Sequence, residues 1–248
     1  MFFDAEHFFD GYKENPDYAL DTLRTAKNAG AKTLVLCDTN GASLPKEISA
    51  IVKTVVKTFK RAKIGIHCHD DLGLAVANTI AAVDAGATHI QGTFLGFGER
   101  CGNCNLVTAI LDLQLKKGYD ILPEDSIKKF TDTARRIAEI TNVRLPKNTP
   151  YVGKAAFMHK GGMHGDGVMK YSPAFEHIDP SVVGNERSFP ISEVAGRAIF
   201  LKKAQDVLPG VPLDKEQSDA LLKKLKEMEM QGYQFEGADA SCLLYTSD

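Results

Sequence analysis

The sequence predicts an α/β fold: four consecutive βα units, which make half of a (β/α)8 barrel, followed by a mostly helical subdomain. Three observations carry this expectation. Short apolar runs alternate with longer stretches of helical period through the first half of the chain. Strand starts recur about every 25–31 residues, the size of a βα unit in a parallel sheet. The phrase Ala29-Gly30-Ala31 ahead of the second strand returns as Ala85-Gly86-Ala87 ahead of the fourth, an internal repeat of that unit.

Taken in order, Phe2 to Glu6 is a short strand. Asn15-Pro16 opens a helix running to about Ala29, because Pro suits the first turn and Gly30 suits the position past the end. Lys32 to Cys37 is the second strand. Pro45 opens the second helix, with Ile48, Ile51, Val52, Val55 and Val56 on one face. Lys63 to His69 is the third strand and Leu74 to Ala85 the third helix. Thr88 to Phe94 is the fourth strand and Asn105 to Lys117 the fourth helix.

The alternation ends near Gly118. A helix from Glu124 to Thr141 follows, then a glycine-rich stretch from Gly153 to Gly167 and a segment with few helix signals from Tyr171 to Ser192. Last comes a charged helix, Lys215 to Gly232, whose Leu221, Leu222, Leu225 and Met228 pack on its own chain. The expected division is residues 1–118 as four βα units, 119–240 as a helical and loop subdomain, and 241–248 as an artefactual tail without a cap or turn signal. A whole (β/α)8 barrel takes about 250 residues. With the first strand opening one residue into the chain, the expectation is a fragment cut inside a barrel, leaving sheet edges unpaired.

Bulk properties narrow the function classes. The 248 residues are 44% hydrophobic with a formal net charge of -2, which gives no footing for a nucleic-acid or membrane-surface partner. No apolar run reaches the length of a bilayer span. Met1-Phe2-Phe3 meets Asp4 and Glu6 at once, unlike a signal peptide. The five cysteines are few and sit mostly inside predicted elements, which points to a reducing cytoplasm. Cys101 and Cys104 form a C-x-x-C between glycines with no second pair, and this reads as something other than a zinc site.

The chemistry concentrates at strand ends, where barrels of this kind place it. His67-Cys68-His69-Asp70-Asp71 stands out. On a strand, alternate residues share a face, so His67 and His69 project together while Ile64, Ile66 and Cys68 face the other way. Two imidazoles side by side can hold one divalent cation. A bare His-x-His is a weak signal, but the other strands end in polar residues as well: Asp4, Glu6 and His7; Asp38-Thr39-Asn40-Gly41; and Gly96-Phe97-Gly98-Glu99-Arg100-Cys101-Gly102-Asn103. Four polar ends in register favour a common site over four separate helix caps.

Residues 67–78 (His-Cys-His-Asp-Asp-Leu-Gly-Leu-Ala-Val-Ala-Asn) with residues 96–103 resemble the signature of the DRE-TIM metallolyase superfamily, and within it the 2-isopropylmalate, homocitrate and citramalate synthases. The stretch from Phe3 to Lys13, Leu36-Cys37-Asp38-Thr39-Asn40-Gly41, Ala156 to His164, and Phe175-Glu176-His177-Ile178-Asp179-Pro180 are most similar to the citramalate synthase branch. The resemblance covers the chain to about Ser241 and implies that these units are the second, C-terminal half of the barrel. It implies His67, His69 and Asn103 at a divalent metal (zinc, manganese, magnesium or cobalt), and Glu6 and Thr39 lining the pocket of a 2-oxo acid. Glu6 and His164 are the implied catalytic residues, and Glu99 and Arg100 form ion pairs at the barrel mouth.

The implied reaction is a Claisen-type condensation of acetyl-CoA with pyruvate to citramalate and CoA, in branched-chain amino acid biosynthesis, by a cytoplasmic homodimer. The family's first-strand motif, Asp-x-Thr-Leu-Arg-Asp-Gly-x-Gln, does not occur here. It supplies a metal carboxylate and an arginine, so the chain alone is expected to be inactive. Related synthases often carry a tyrosine where this chain has Phe175, which can neither donate a hydrogen bond nor pass a proton. Other members, such as 2-isopropylmalate or homocitrate synthases or an HMG-CoA-lyase-like enzyme, stay open, as does a non-catalytic half-barrel that folds only on a partner.

Overall fold

Four strands, β1 (Phe2–Ala5), β2 (Thr33–Asp38), β3 (Lys63–Cys68) and β4 (His89–Gln91), form one parallel sheet in chain order. The structure is a computed structural model and describes residues 1–160, 162–190 and 214–233. Parallel strands need a crossover to bring the chain back to the same end, and helices supply it. α1 (Phe8–Glu14) and α2 (Pro16–Asn28) join β1 to β2, α3 (Pro45–Thr58) joins β2 to β3, and α4 (Ala75–Asp84) joins β3 to β4. After β4 comes α5 (Leu106–Leu111). The predicted α/β alternation is therefore present.

Register decides which side chains meet. Asp4 lies opposite Val35, Val35 opposite Gly65, and Gly65 opposite His89, while Cys37, His67 and Gln91 form the next row. The alternate residues Leu34, Leu36, Ile64, Ile66 and Cys68 face the helices and are buried with Leu23, Ile48, Val52, Val55, Phe59 and Ala82. Each such aliphatic side chain contributes about 1.5–3 kcal/mol on burial. The opposite face is strongly rolled. Phe2 on β1 and His89 on β4 place their ring centroids 5.0 Å apart. Three strand spacings would set them about 14 Å apart in a flat sheet.

Several elements depart from the sequence expectation. α1 was not expected; it is a single short helix anchored by buried Phe8 and Phe9, too brief to show a period. β4 stops at Gln91 instead of Phe94, because Thr93 turns to bridge Asn105 and Leu95 takes a left-handed φ of 70°. The helix expected to Lys117 leaves α geometry at Leu111 and continues as a π turn over Asp112–Lys116.

The chain divides into two units between Pro123 and Glu124. In the second unit the helix expected from Glu124 to Thr141 is broken into α6 (Glu124–Ile127) and α7 (Phe130–Ile140). The glycine-rich stretch contains a helix, α8 (Gly162–Lys170). Its glycines weaken helix propensity, but a Cβ on Gly167 would stand 2.6 Å from the Phe175 ring, so this packing needs glycine. Single 3-10 turns at Ser172–Ala174 and Pro180–Val183 fit the low helix signal beyond Tyr171. α9 (Lys215–Met230) starts at a reciprocal cap between Asp214 and Gln217 and buries Leu222 and Leu225. Ile191 and Ser192, and the tail 241–248, lie outside the described residues.

This unit has its own polar anchor. Buried Glu176 accepts two bonds from Arg187 and lies 2.9 Å from His159 Nε2. Asn185 Nδ2 donates to the carbonyls of Tyr151 and Gly153, which pins the loop ahead of α8.

Candidate metal and substrate site

The ladder between β2 and β3 runs one bond past the strand, since His69 N donates to Asp38 O at 3.2 Å. The two-residue period therefore holds through His69, and the rings of His67 and His69 lie side by side with centroids 5.2 Å apart. The loop after β4 then folds back along β3. Cys104 N donates to Cys68 O and Asp70 N donates to Gly102 O, both at 2.9 Å. That return sets Asn103 opposite His69 in an antiparallel bridge. Gly98 leaves the room, because a Cβ there would stand 2.2 Å from Asn103 Nδ2.

Two polar atoms at this point have no partner. Asn103 Nδ2 donates to Phe97 O at 3.0 Å, which identifies the other end of the amide as the oxygen. That Oδ1 is buried without a hydrogen bond, and so is His69 Nδ1. A buried polar atom left in this state costs about 1–3 kcal/mol, so the pair calls for a ligand. His67 differs: its Nδ1 is 3.1 Å from Gln91 Oε1, and Gln91 Nε2 donates to Asp4 Oδ1 at 3.1 Å.

Two imidazoles and an amide oxygen suit zinc, manganese or cobalt. Burial, then the His67 and Arg100 charges, push the His69 pKa below the usual histidine value, favouring the neutral, ligating imidazole. These residues fit a divalent cation with positions left open for other ligands. Among the described residues, no group of three or more His, Cys, Asp or Glu side chains is gathered around a point.

Glu6 and Thr39 come together beside this site. Thr39 Oγ1 donates to Glu6 Oε2 at 3.0 Å and accepts from His7 N at 2.8 Å. Arg100 forks onto Asp71 and also donates to Thr39 O, which ties the ends of β2, β3 and β4 together. Its hydrogen bond is the main reason that the Asp71 carboxyl is held below the ordinary range. His7 and Arg100 both adopt left-handed backbone, with φ of 56° and 53°. Strain of this kind costs about 1–3 kcal/mol per residue and gathers at ligand-holding loops.

Beneath them, buried Asp38 accepts from Ser43 N and Ser43 Oγ. The Cys37 thiol, on the His67 face, is pushed up to about 12 by burial first, then by Glu6 and Asp4, and so stays protonated.

The expected residues thus fall into four places, while Glu99 forms no side-chain ion pair among the described residues. His67, His69 and Asn103 meet, and so do Glu6 and Thr39. Arg100 forms the expected ion pair, with Asp71 as its partner. His164 is exposed on α8 in the second unit, its ring 4.7 Å from that of Phe175. Sequence reasoning passed over Gln91, whose only signal was its place two residues after His89 on the same strand face.

Residues 7–142 match the family model HMGL-like, and residues 151–233 match the model Homocitrate synthase post-HMGL domain-like. The chain belongs to the HMGL-like family. The HMGL-like match contains Thr39, His67, His69 and Asn103, and the post-HMGL match contains His164.

Among individual relatives, the chain is 49% identical to a protein of Aquifex aeolicus named (R)-citramalate synthase, over 97% of this chain and 46% of that one. It is 35% identical to a probable 2-isopropylmalate synthase of Methanopyrus kandleri, over 90% of this chain and 44% of that one. The chain spans about half the length of the curated relatives it matches. Among solved structures, it is 24% identical to the HMG-CoA lyase of Bacillus subtilis, covering 55% of this chain and 46% of that one with a TM-score of 0.48.

Proposed function

We propose that the protein carrying this chain is an acyl-CoA-condensing synthase that joins the methyl carbon of acetyl-CoA to the ketone carbon of pyruvate, after which water hydrolyses the thioester and releases citramalate and CoA. The observation that carries this reading is the pair of buried, unpartnered atoms, His69 Nδ1 and Asn103 Oδ1, set beside His67. Identities of 44–49% to five relatives named (R)-citramalate synthase support this choice of substrates, against 32–35% to relatives named as 2-isopropylmalate synthases.

In this reading His67, His69 and Asn103 hold a divalent cation: zinc, manganese, magnesium or cobalt. When bound, such an ion supplies Lewis-acid polarisation of a carbonyl oxygen. Thr39 presents its hydroxyl to the 2-oxo acid, oriented by the Glu6 carboxylate and the His7 amide. Glu6 shapes the pocket and serves in proton transfer during the condensation. His164 moves a proton on the acyl-CoA side of the reaction as a general acid–base group. Arg100 holds the strand ends in place through Asp71.

The three metal-holding groups are neutral, so the chain alone binds its cation weakly and is inactive. The whole enzyme works as a cytoplasmic homodimer. Among the described residues no helix is long and apolar enough to cross a membrane.

The test is a hybrid in which this chain replaces the matching segment of the Aquifex aeolicus relative. CoA release from acetyl-CoA is followed with pyruvate, 2-oxoisovalerate and 2-oxoglutarate in turn. Release with pyruvate above the other two supports the proposal. Preference for another 2-oxo acid, or release by the 248-residue chain by itself, overturns the corresponding part of it.

A further inference from the structure

We infer that Gln91, oriented by Asp4, fixes the tautomer of His67, so that its Nδ1 carries the proton and its Nε2 offers the lone pair. For its consequence at a cation, though not for the tautomer itself, this rests on His67 being a ligand as proposed above.

The argument runs through three groups whose hydrogen-bonding roles constrain one another. The Asp4 carboxylate only accepts. The Gln91 amide end 3.1 Å from Asp4 Oδ1 must therefore be the NH2, since the reverse orientation would set two acceptor oxygens against each other. That leaves Gln91 Oε1 facing His67 Nδ1 at 3.1 Å. A carbonyl oxygen only accepts, so a hydrogen bond there requires the proton on Nδ1. In a neutral imidazole the other nitrogen then carries the lone pair, and only a lone pair binds a metal.

The fold supports the geometry in two ways. Gln91 is the ladder partner of His67, so both side chains rise from one face at fixed spacing. Asp4 reaches Gln91 from the far strand because the sheet is rolled, the same rolling that brings Phe2 to His89. Asp4 and Gln91 are thus positioning residues that act through His67.

The test is two-bond 1H–15N correlation on the metal-free, 15N-histidine-labelled 248-residue chain, at a pH above the ordinary histidine range. The His67→Gln variant identifies the His67 ring signals by their loss. The expected result is a protonated, pyrrole-type Nδ1 and an unprotonated, pyridine-type Nε2 in the wild type. The reverse pattern, or an average of the two, overturns the inference without need of any further variant.

Gln91→Leu removes the acceptor, and Asp4→Asn keeps the shape but lets residue 4 donate as well as accept. Both are expected to release His67 toward the other tautomer while His164 is unmoved. A pure Nδ1–H form that persists in both variants overturns the proposal. Cobalt(II) titration, read by visible absorbance, provides the second measurement. Loss of an outer partner of this kind weakens metal affinity about 10–100-fold, and that loss is expected for both variants. Equal affinity in wild type and variants counts against the relay. If the wild type shows the Nδ1–H form yet takes no cobalt, the relay stands and the metal reading falls.

Discussion

Arg100 grips Asp71 with two parallel bonds, Nε to Oδ1 at 2.7 Å and Nη2 to Oδ2 at 2.9 Å, and the same Nη2 donates to Thr39 O at 2.7 Å. The guanidinium is 44% exposed, so water screens the pair and its worth in stability is small. Its consequence is positional. It links the loop after β4, which carries Asn103, to Thr39 in the candidate oxo-acid pocket.

Arg100→Ala is therefore expected to leave the unfolding midpoint nearly unchanged while loosening the Thr39 turn. The readout is hydrogen exchange at the His7 amide, whose acceptor is Thr39 Oγ1. Faster exchange is expected in Arg100→Ala and in Arg100→Lys, because an ammonium cannot reproduce the planar fork. Unchanged protection at His7 would show that the guanidinium does not hold the turn.

Removing a donor from the candidate metal site separates ligands from bystanders. His67→Ala and His69→Ala should each lower zinc affinity by more than the roughly 100-fold ceiling typical of outer-shell losses. Asn103→Ala should cost about 10-fold, since a neutral amide oxygen is a weaker donor than imidazole toward zinc. Calorimetric titration of the chain with zinc makes the measurement. Equal affinity across the wild type and all three variants would remove the metal reading.

Much of this architecture was legible in the sequence because it is written in local patterns. Pro45 followed by Ile48, Ile51, Val52 and Val55 marked α3, and all four apolar residues are buried. His67 and His69 could be placed on one face from the strand period alone. What escaped was set by distant parts of the chain. The return of residues 102–104 along β3 depends on backbone bonds to Cys68 and Asp70. The Asp4–Gln91 bond joins residues 87 positions apart and exists only because the sheet rolls. α8 was missed because its glycines argue against a helix, and the reason for one of them, the Phe175 ring over Gly167, lies in another segment. α1 was missed because seven residues are too few for a periodic signal.

Asp38 and Ser43 tie the end of β2 to the turn that follows it. Asp38 is fully buried and accepts from Ser43 Oγ at 3.0 Å and Ser43 N at 3.3 Å. Burial raises its pKa and the Ser43 bonds offset part of that rise. A carboxyl whose folded pKa is raised loses stability as pH climbs from its unfolded value through the folded one. Ser43→Ala removes the hydroxyl donor and is expected to cost about 1–3 kcal/mol at neutral pH. The cost should shrink once the medium is acidic enough to protonate Asp38. Urea midpoints at the two pH values give the comparison, and a cost independent of pH would mean that Asp38 does not carry it.

The second unit is expected to be sensitive to acid through Glu176. Its side chain is 2% exposed and accepts from Arg187 at 2.7 and 2.5 Å, with His159 Nε2 at 2.9 Å. Burial alone would raise this carboxyl, but the Arg187 and His159 bonds outweigh it and hold the pKa below the ordinary glutamate value. A depressed folded pKa stabilises above the unfolded value, and that contribution is lost as pH falls through the folded one. Arg187→Met leaves the buried carboxylate with a single side-chain partner, and breaking such a pair costs about 3 kcal/mol. That cost should shrink as the pH falls below the ordinary glutamate range, because without its largest depressing partner the variant has less of this contribution for acid to remove. Denaturant midpoints followed from neutral pH down through the carboxylate range, with the Phe189 ring protons reporting on this unit, test both statements. A cost of Arg187→Met that stays the same from neutral to acid pH would show that the ion pair does not carry the acid sensitivity.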